Sequence, residues 1–480
     1  MSEAPRNVSD LVANAAERVP DRLAFAEAAT DNAVSWAKLD NAVNAEARRL
    51  LDADVQPGDR VAIQLPTGIG FVIALFGAIR AGAVAVPMAA DLPGRERERI
   101  LEDSRPKVVT DQAPDLNASA DLVRGAPGGE DIALLCYTSG TAGTPRGVML
   151  SHRALLANVE QCASLKPAPV SSTDRVLLAV PLFHAYGLGP GLFQVASAGA
   201  SGVLMDHFSV EPALRACEDF RITVIVGVPP MYQAFAQVPA ERLAGALSTL
   251  RLLTSGAAPL EPSVLTAMNR ATGLNVYEGY GLTETGPVLT WTLVGGVAKP
   301  GSVGRPLPGV ELRLVDSDGT PGGDDEDEDA GVVSVRGPNL FSGYWPDGAH
   351  GPDAEGWFRT GDVGYLDNDG DLHLVDRAND LIIVNGFNVY PHEVEQVLGE
   401  LTEVAEAAAV GIPDERSGER VKAVLVLREG AELTEDQVRD HCAARLAKFK
   451  VPGLVEFVTA LPHSITGKLR RASLRKADSV

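Results

Sequence analysis

Nowhere in this sequence does an apolar run reach the roughly 18 residues that a membrane span requires. The first residues, Met1-Ser2-Glu3-Ala4-Pro5-Arg6, have neither a basic n-region nor an apolar h-region, so no secretory signal is expected. Cysteine is scarce. Four of them (Cys136, Cys162, Cys217 and Cys442) are scattered without the paired spacing of a metal or redox site, which predicts reduced thiols in a cytoplasmic protein. Positive charge is also short: 42 Lys and Arg against 64 Asp and Glu leave a formal net charge of −22. Such a surface repels nucleic acid and anionic lipid and excludes both as general partners. It also opposes any anionic nucleotide, so a nucleotide site here needs local cations and a divalent metal. No fixed-period repeat is present. The acidic tract Asp324-Asp325-Glu326-Asp327-Glu328-Asp329 lacks the spacing of an EF-hand and predicts a solvated hairpin loop.

What remains is a globular composition, 45% hydrophobic and 22% charged, in a chain of 480 residues that is too long for one core; two or more domains are expected. Periodicity predicts helices over 8–18, 35–51 and 69–80, with strands over 24–26, 59–65 and 83–87. Gly82 caps the third helix. Strand, helix and strand at this spacing form a βαβ unit of a parallel sheet, and the pattern recurs near 175–180 and 222–226. Strands are also expected over 310–315 and 331–335, flanking the acidic tract. Past residue 376 the texture changes to a helix over 393–398, strands over 404–410 and 421–427, and a helix over 435–447. This is an α+β unit of ordinary domain size. The reading is a 1–376 N-terminal domain, a 377–380 hinge in Arg377-Ala378-Asn379-Asp380, and a 381–480 C-terminal domain.

The chemistry begins at Tyr137-Thr138-Ser139-Gly140-Thr141-Ala142-Gly143-Thr144-Pro145-Arg146-Gly147. An apolar strand, 132–136, leads into it; Val148-Met149-Leu150 follows, with Ser151 placed to cap a helix from His152. Glycines let backbone N–H groups turn inward, hydroxyls add donors and Arg146 adds positive charge, which together make a polyphosphate cradle. No Gly-Lys-Ser/Thr closes it, so it is not the Walker loop. By composition alone it could equally be an exposed Ser/Thr/Gly turn.

Further stretches stand in order along the chain: Pro181-Leu182-Phe183-His184-Ala185-Tyr186-Gly187-Leu188; Ser255-Gly256-Ala257-Ala258-Pro259-Leu260; Tyr277-Glu278-Gly279-Tyr280-Gly281-Leu282-Thr283-Glu284-Thr285; Gly356-Trp357-Phe358-Arg359-Thr360-Gly361-Asp362; Asp376-Arg377; Asp380 to Pro391 through Gly386-Phe387; and Pro462-His463-Ser464-Ile465-Thr466-Gly467-Lys468. Each alone admits a plain structural reading. Asp362 could be a turn residue, Arg377 a linker ion pair, His184 a hydrogen-bonded core residue, and Lys468 a solvated tip. Taken together and in this order, they closely resemble the adenylate-forming superfamily of acyl-CoA synthetases, 4-coumarate–CoA ligases and peptide-synthetase adenylation domains, over nearly the whole chain.

The resemblance implies an α/β multi-domain fold: a large N-terminal region of layered αβ sheets plus a β-barrel, then a small mobile C-terminal α+β domain. It implies ATP, Mg²⁺ and coenzyme A as reactants, with a small carboxylic acid as the partner activated. Thr138, Ser139, Gly140, Thr141 and Arg146 would hold the triphosphate. Gly256, Ala257, Ala258, Glu278, Gly279, Tyr280 and Thr283 would hold adenine and α-phosphate, and Asp362 and Arg377 the ribose. Thr141 and Glu284 would meet the metal. His184, Tyr186, Gly256 and Gly281 would line the acyl site, Gly386 and Phe387 the CoA path, and Asn379 the hinge. Lys468 would reach the α-phosphate and carboxylate during adenylation, where an ammonium between two anions stabilises the transition state. Thr141, Glu284, His184 and Lys468 are the catalytic set.

The pattern is broken where Ala142 replaces a threonine, Arg146 a lysine and Asn379 the usual Lys or Asp of the hinge; plant coumarate ligases carry lysines at the positions of Ile383 and Asn385. Arg and Lys are not interchangeable on a phosphate. Gly187, Gly189 and Gly191 with Val226-Gly227-Val228 suggest a roomy apolar pocket, favouring a medium- or long-chain fatty acid or an aromatic acid. No carboxylate in Phe183-His184-Ala185 offers to hold an amino group, so a free amino acid is disfavoured, and no triad pattern assigns His184 as a hydrolase base. Two alternatives stay open: a ligase that loads a carrier protein in place of CoA, and a silent nucleotide-binding regulator. Neither oligomeric state nor pathway is encoded in these motifs.

Overall fold

The computed structural model describes residues 5–123, 127–138, 145–316, 330–377, 380, 382–384, 387–414, 417–463 and 469–475, without the side chains of 376, 377, 387, 388 and 472. The expected acidic hairpin lies outside these residues. Contacts divide the chain into two compact units: Met1–Leu312 with Val335–Phe358, and Arg313–Ser334 with Arg359–Val480.

Two sheets build the first unit. A nine-stranded sheet orders Arg305–Pro306, Thr290–Trp291, Val276–Tyr280, Leu252–Ser255, Val224–Gly227, Arg175–Leu178, Ser201–Leu204, Leu23–Glu27 and Ala33–Ser35. Its central strands are parallel and its two ends antiparallel. A five-stranded sheet orders Val108–Thr110, Arg60–Gln64, Val84–Met88, Ile132–Thr138 and Arg146–Ser151. Parallel strands need crossovers, and helices supply them. The helix Ile69–Arg80 links Arg60–Gln64 to Val84–Met88 and is buried on nearly every side, as its almost unbroken apolar sequence requires. Its one charged residue in that burial, Arg80, meets Asp40 at 2.7 Å and Ser9 O at 3.1 Å.

Helices Val210–Asp219, Pro229–Ala236 and Pro262–Thr272 cover the large sheet with an apolar cluster that includes Leu214, Tyr232, Phe235, Leu253 and Met268. A smaller four-stranded sheet orders Glu311–Val315, Gly331–Arg336, Phe358–Leu366 and Leu372–Arg377. The C-terminal part is α+β. Its long hairpin Val404–Asp414/Gly418–Leu427 pairs in parallel with Leu454–Val458, and helices Pro391–Leu398 and Glu435–Ala443 supply Val394, Leu398, Val438 and Cys442 to its core. The capping box of Thr434 and Gln437 starts the second of these helices. Among the described residues no helix is long and apolar enough to cross a membrane.

Candidate active site

Strands Ile132–Thr138 and Arg146–Ser151 pair antiparallel from Ile132↔Ser151 to Thr138↔Arg146. Thr138 and Arg146 therefore close the glycine-rich turn; Ser139, Gly140, Thr141 and Ala142 lie outside the described residues. Ser151 caps the helix that follows, its Oγ accepting from Ala154 N at 3.2 Å. A third stretch runs along the free edge of the hairpin: Ser342 N–H donates to Met149 O (2.9 Å), Met149 N–H to Gly343 O (3.1 Å) and Trp345 N–H to Gly147 O (2.8 Å). Gly343 makes this possible, because its φ is +97° and a Cβ there would lie 2.1 Å from Gly348 O. Tyr344 is thereby bridged to Val148, within the phosphate hairpin.

Glu284 sits on the short turn Thr283–Thr285 that follows strand Val276–Tyr280. The Thr285 hydroxyl accepts from Leu282 N at 2.9 Å and closes the turn, and Phe341 N–H donates to Glu284 O at 3.0 Å. Only 9% of Glu284 is exposed. The Tyr344 phenol donates to its Oε1 at 2.8 Å, and the Arg146 guanidinium lies over the Tyr344 ring, 3.8 Å from its centre. Burial, with the Glu284 charge adding to it, pushes the Cys136 thiol up to about 12. The structure thus brings the metal candidate Glu284 and the phosphate candidate Arg146 onto one tyrosine.

Beside them, strand Leu252–Ser255 ends in Gly256-Ala257-Ala258. Ala257 is exposed and left-handed, with φ +72°, an unusual state for a residue with a Cβ. The loop is pinned where Leu260 N–H donates to Glu278 Oε2 at 3.1 Å. Glu278 is buried, and burial raises its carboxyl to about 7, the Leu260 bond opposing. The described bond on this carboxylate thus goes to the chain's own backbone. Tyr280, next to Gly279, is buried at the end of the strand. Gly281 admits no side chain, since a Cβ would lie 1.9 Å from Pro287 O.

On the acyl side, His184 Nδ1 accepts from Tyr186 N–H at 3.2 Å, so the neutral ring carries its proton on Nε2. The Tyr186 ring fills the space against Gly256, where a Cβ would come within 2.8 Å of Cε2. The expected roominess of the glycines is corrected here. Gly187, Gly189 and Gly191 belong to a π-helix, Gly187–Phe193, that contains Pro190. Added Cβ atoms would stand 2.4 Å from Pro181 O at Gly187, 2.4 Å from Pro287 Cδ at Gly189 and 3.0 Å from Leu178 Cδ2 at Gly191. Gly227 likewise faces the Tyr232 ring at 2.8 Å. These glycines let neighbours approach; they do not leave space.

In the second unit, Asp362 and Arg377 are cross-strand partners, facing each other on Phe358–Leu366 and Leu372–Arg377. Asp362 is buried, its N–H donating to Thr360 Oγ1 at 3.1 Å, and Gly361 before it takes φ +76° within the strand. The Arg377 side chain, Asn379, Gly386 and Lys468 lie outside the description; Phe387 is seen as main chain, opening the strand Phe387–Val389. Among the described residues, one group of three carboxylates, Asp367, Asp369 and Asp371, gathers within 4.8 Å, on a turn in which Asp367 Oδ1 accepts from the N–H groups of the other two.

The model of the AMP-binding enzymes matches residues 12–127 and 110–345, and that of the AMP-binding enzyme C-terminal domain matches 393–468. The chain belongs to the AMP-binding enzyme family. This AMP-binding enzyme is 37% identical to a feruloyl-CoA synthase of an Amycolatopsis species over 468 residues, 92% of this chain and 94% of that one. It is 32% identical to a long-chain-fatty-acid–CoA ligase of Yersinia pestis, covering 98% and 94%. Its fold matches ATP-bound MatB from Rhodopseudomonas palustris with a TM-score of 0.90, at 31% identity and 98% of both chains. The residue that joins Glu284 to Arg146, Tyr344, belongs to none of the motifs. It lies 60 residues from Glu284, and no spacing rule links the two. A carboxylate oxygen of Glu284 beside the hydroxyl-rich hairpin is the donor chemistry that a small hard cation takes.

Proposed function

We propose that this AMP-binding enzyme is an acyl-CoA synthetase whose preferred acid has a compact, flat, apolar body, an aromatic carboxylate first. It is an ATP-dependent, AMP-forming acid–thiol ligase. The observation that carries the reading is the junction of the phosphate hairpin with Glu284: a guanidinium and a buried carboxylate, of opposite sign, at the closing pair of a glycine- and hydroxyl-rich turn. Backbone N–H groups of that turn and Arg146 bind the β- and γ-phosphates. Mg²⁺, when bound by Glu284 with Thr141, neutralises phosphate charge. The acid's carboxylate oxygen attacks the α-phosphorus in line, the bond to pyrophosphate breaks, and acyl-AMP forms. Lys468 stabilises the charge shared by the two anions. The C-terminal domain, 381–480, then turns about Asn379, withdraws Lys468 and brings the Gly386-Phe387 loop to the acyl-AMP. CoA's sulfur attacks the acyl carbon, the carbon–oxygen bond to AMP breaks, and the thiol proton passes to solvent.

An aromatic acid is favoured because the glycines read as leaving room are closed by neighbouring side chains. Tyr186 lies on Gly256 and Tyr232 on Gly227. The feruloyl-CoA synthase likeness supports the same class, whereas the long-chain relative keeps fatty acids as the competing result. Four buried free thiols fit the cytoplasm. The test is a panel of aromatic, fatty and short acids with ATP, Mg²⁺ and CoA, following AMP and thioester together. Aromatic acids should give the highest kcat/KM. A higher kcat/KM with a long chain overturns the substrate class, and AMP release without thioester overturns CoA as the acceptor.

A further inference from the structure

We propose that Tyr344 is a positioning residue of the adenylation site: its phenol orients the Glu284 carboxylate toward a divalent cation, and its ring holds the Arg146 guanidinium for the triphosphate. The inference rests on the reading of Glu284 as the metal contact. It adds a residue that the motifs do not assign and gives each half of its side chain a task.

Tyr344 can act as a fixed point because its own backbone is tied. It bridges Val148, donates its N–H to Ala349 O at 3.1 Å and accepts from Gly348 N–H at 2.8 Å. Phe341 packs edge-on against its ring, 5.1 Å between centres, and Phe341 is itself held edge-on by Phe358 at 4.9 Å. A phenol so fixed donates to one carboxylate oxygen, Oε1, and thereby stops the carboxylate from spinning; Oε2 is then the oxygen presented to a cation. Groups that hold a ligand in this way commonly change metal affinity ten- to a hundredfold when removed, by rough precedent. The phenol stays a donor across the physiological range. Burial and the Glu284 carboxylate push its pKa well above the ordinary value, and Arg146 opposes them only in part.

The ring does the second task. Arg146 is exposed, and an exposed arginine samples many rotamers. Stacking on the tyrosine face, 3.8 Å from its centre, orders it before a phosphate arrives. Among the described residues Arg146 and Glu284 make no ion pair with each other, although both touch Tyr344. A direct pair would satisfy each charge and spoil both for a Mg²⁺–triphosphate. One tyrosine between them keeps a negative group for the cation and a positive group for the anion, each ordered and neither neutralised by the other.

The experiment measures binding, without turnover: calorimetric titration of the full-length protein with the non-cleavable α,β-methylene ATP at a series of Mg²⁺ concentrations. Tyr344→Phe keeps the ring and should raise the Mg²⁺ needed for half-maximal analogue binding about tenfold, with analogue affinity at saturating Mg²⁺ nearly unchanged. Tyr344→Leu should show that same loss and, in addition, bind the analogue about threefold more weakly without Mg²⁺. In a Glu284→Gln background the Mg²⁺ effect of Tyr344→Phe should vanish. If it persists there, the phenylalanine acts through the fold and the proposal is overturned. If Glu284→Gln alone leaves the Mg²⁺ requirement unmoved, the metal reading of Glu284 fails first. If Glu284→Gln raises it and Tyr344→Phe does not, only the role of Tyr344 fails.

Discussion

Glu278 and Glu284 stand on one strand-and-turn segment, both less than a tenth exposed, at 7% and 9%. Their surroundings differ in kind. Glu278 belongs to the sheet face covered by Leu253, Leu260, Val264 and Val276, and its described partner is a single backbone N–H. Burial there favours the neutral acid and lifts the carboxyl to about 7. Glu284 faces a phenolic O–H on a ring that also carries a guanidinium. Burial is nearly the same in both cases, so burial alone does not tell the two carboxylates apart. What distinguishes them is the company: a backbone amide at the edge of an apolar cluster in the first region, a phenolic donor whose ring carries a guanidinium in the second.

Removing the charge at each position separates the two regions most sharply. Glu284→Gln should lower acid-dependent pyrophosphate exchange by about a hundredfold or more while the protein melts as before. A loss below threefold would place Glu284 with the structural carboxylates. Glu278→Gln keeps an oxygen for Leu260 N–H and should act on stability. A carboxyl raised from 4.5 to about 7 on folding contributes its full stability below the unfolded value, and that contribution is lost as pH climbs through the folded one. The glutamine variant escapes the loss. It should match the parent at pH 4 and exceed it at pH 8 by up to about 3 kcal/mol, read as a higher melting temperature. A variant no more stable at pH 8 than at pH 4, relative to the parent, would show that Glu278 ionises without cost.

His152 supplies an internal control of opposite sign. It accepts from Val8 N–H at 3.0 Å, and burial lowers its pKa to about 4, with Asp131 and Asp10 opposing. Its stabilising effect is present above about 6.5 and lost as pH falls toward 4, so acid should weaken the parent there even as Glu278 gains. His152→Gln should flatten the melting-temperature profile between pH 6.5 and 4. A profile that keeps the parent's slope would remove the buried imidazole from the acid response.

Much of the first unit was legible in the sequence. The helix Ile69–Arg80 has the expected bounds because its apolar run ends at a basic residue and a turn, and Ser151 caps where expected because its side chain meets Ala154 N–H. The first helix begins at Asp10, later than expected, since the Asp10 carboxylate binds the N–H groups of Arg6 and Asn7 ahead of it. In the C-terminal hairpin the ladder continues through Ile412↔Arg420 and Pro413↔Glu419 to Asp414↔Gly418, three polar-edged pairs that hydropathy leaves out. The π-helix Gly187–Phe193 was not legible: glycines that admit close neighbours and glycines that leave room read alike, and only the neighbours decide. Tyr344 was hidden for a similar reason. Its function arises from an edge pairing between distant segments, whereas motifs record neighbours in sequence.

Two smaller substitutions sharpen the contrast on the strand beside Glu278, Leu252–Ser255, and the loop that follows it. Gly256→Ala puts a methyl 2.8 Å from the Tyr186 ring, which must swing toward the acyl side. Overpacking of this size costs roughly 1–3 kcal/mol, and the KM for an aromatic acid should rise about tenfold by the same measure, with the KM for ATP little changed. A KM for ATP that rises equally would mean that the loop moves and not the ring. The smallest effect is expected one residue earlier. Ser255 is paired in register with Gly227 and Glu278, and among the described residues its buried Oγ has no hydrogen-bond partner. An unsatisfied buried hydroxyl carries its desolvation cost uncompensated, so Ser255→Ala should stabilise the protein by about 1 kcal/mol. The gain should be seen at pH 4 and pH 8 alike, because a hydroxyl does not titrate there. If the alanine variant is instead less stable at pH 8 alone, the hydroxyl is serving an ionised Glu278, and the apolar character assigned to that region would have to be given up.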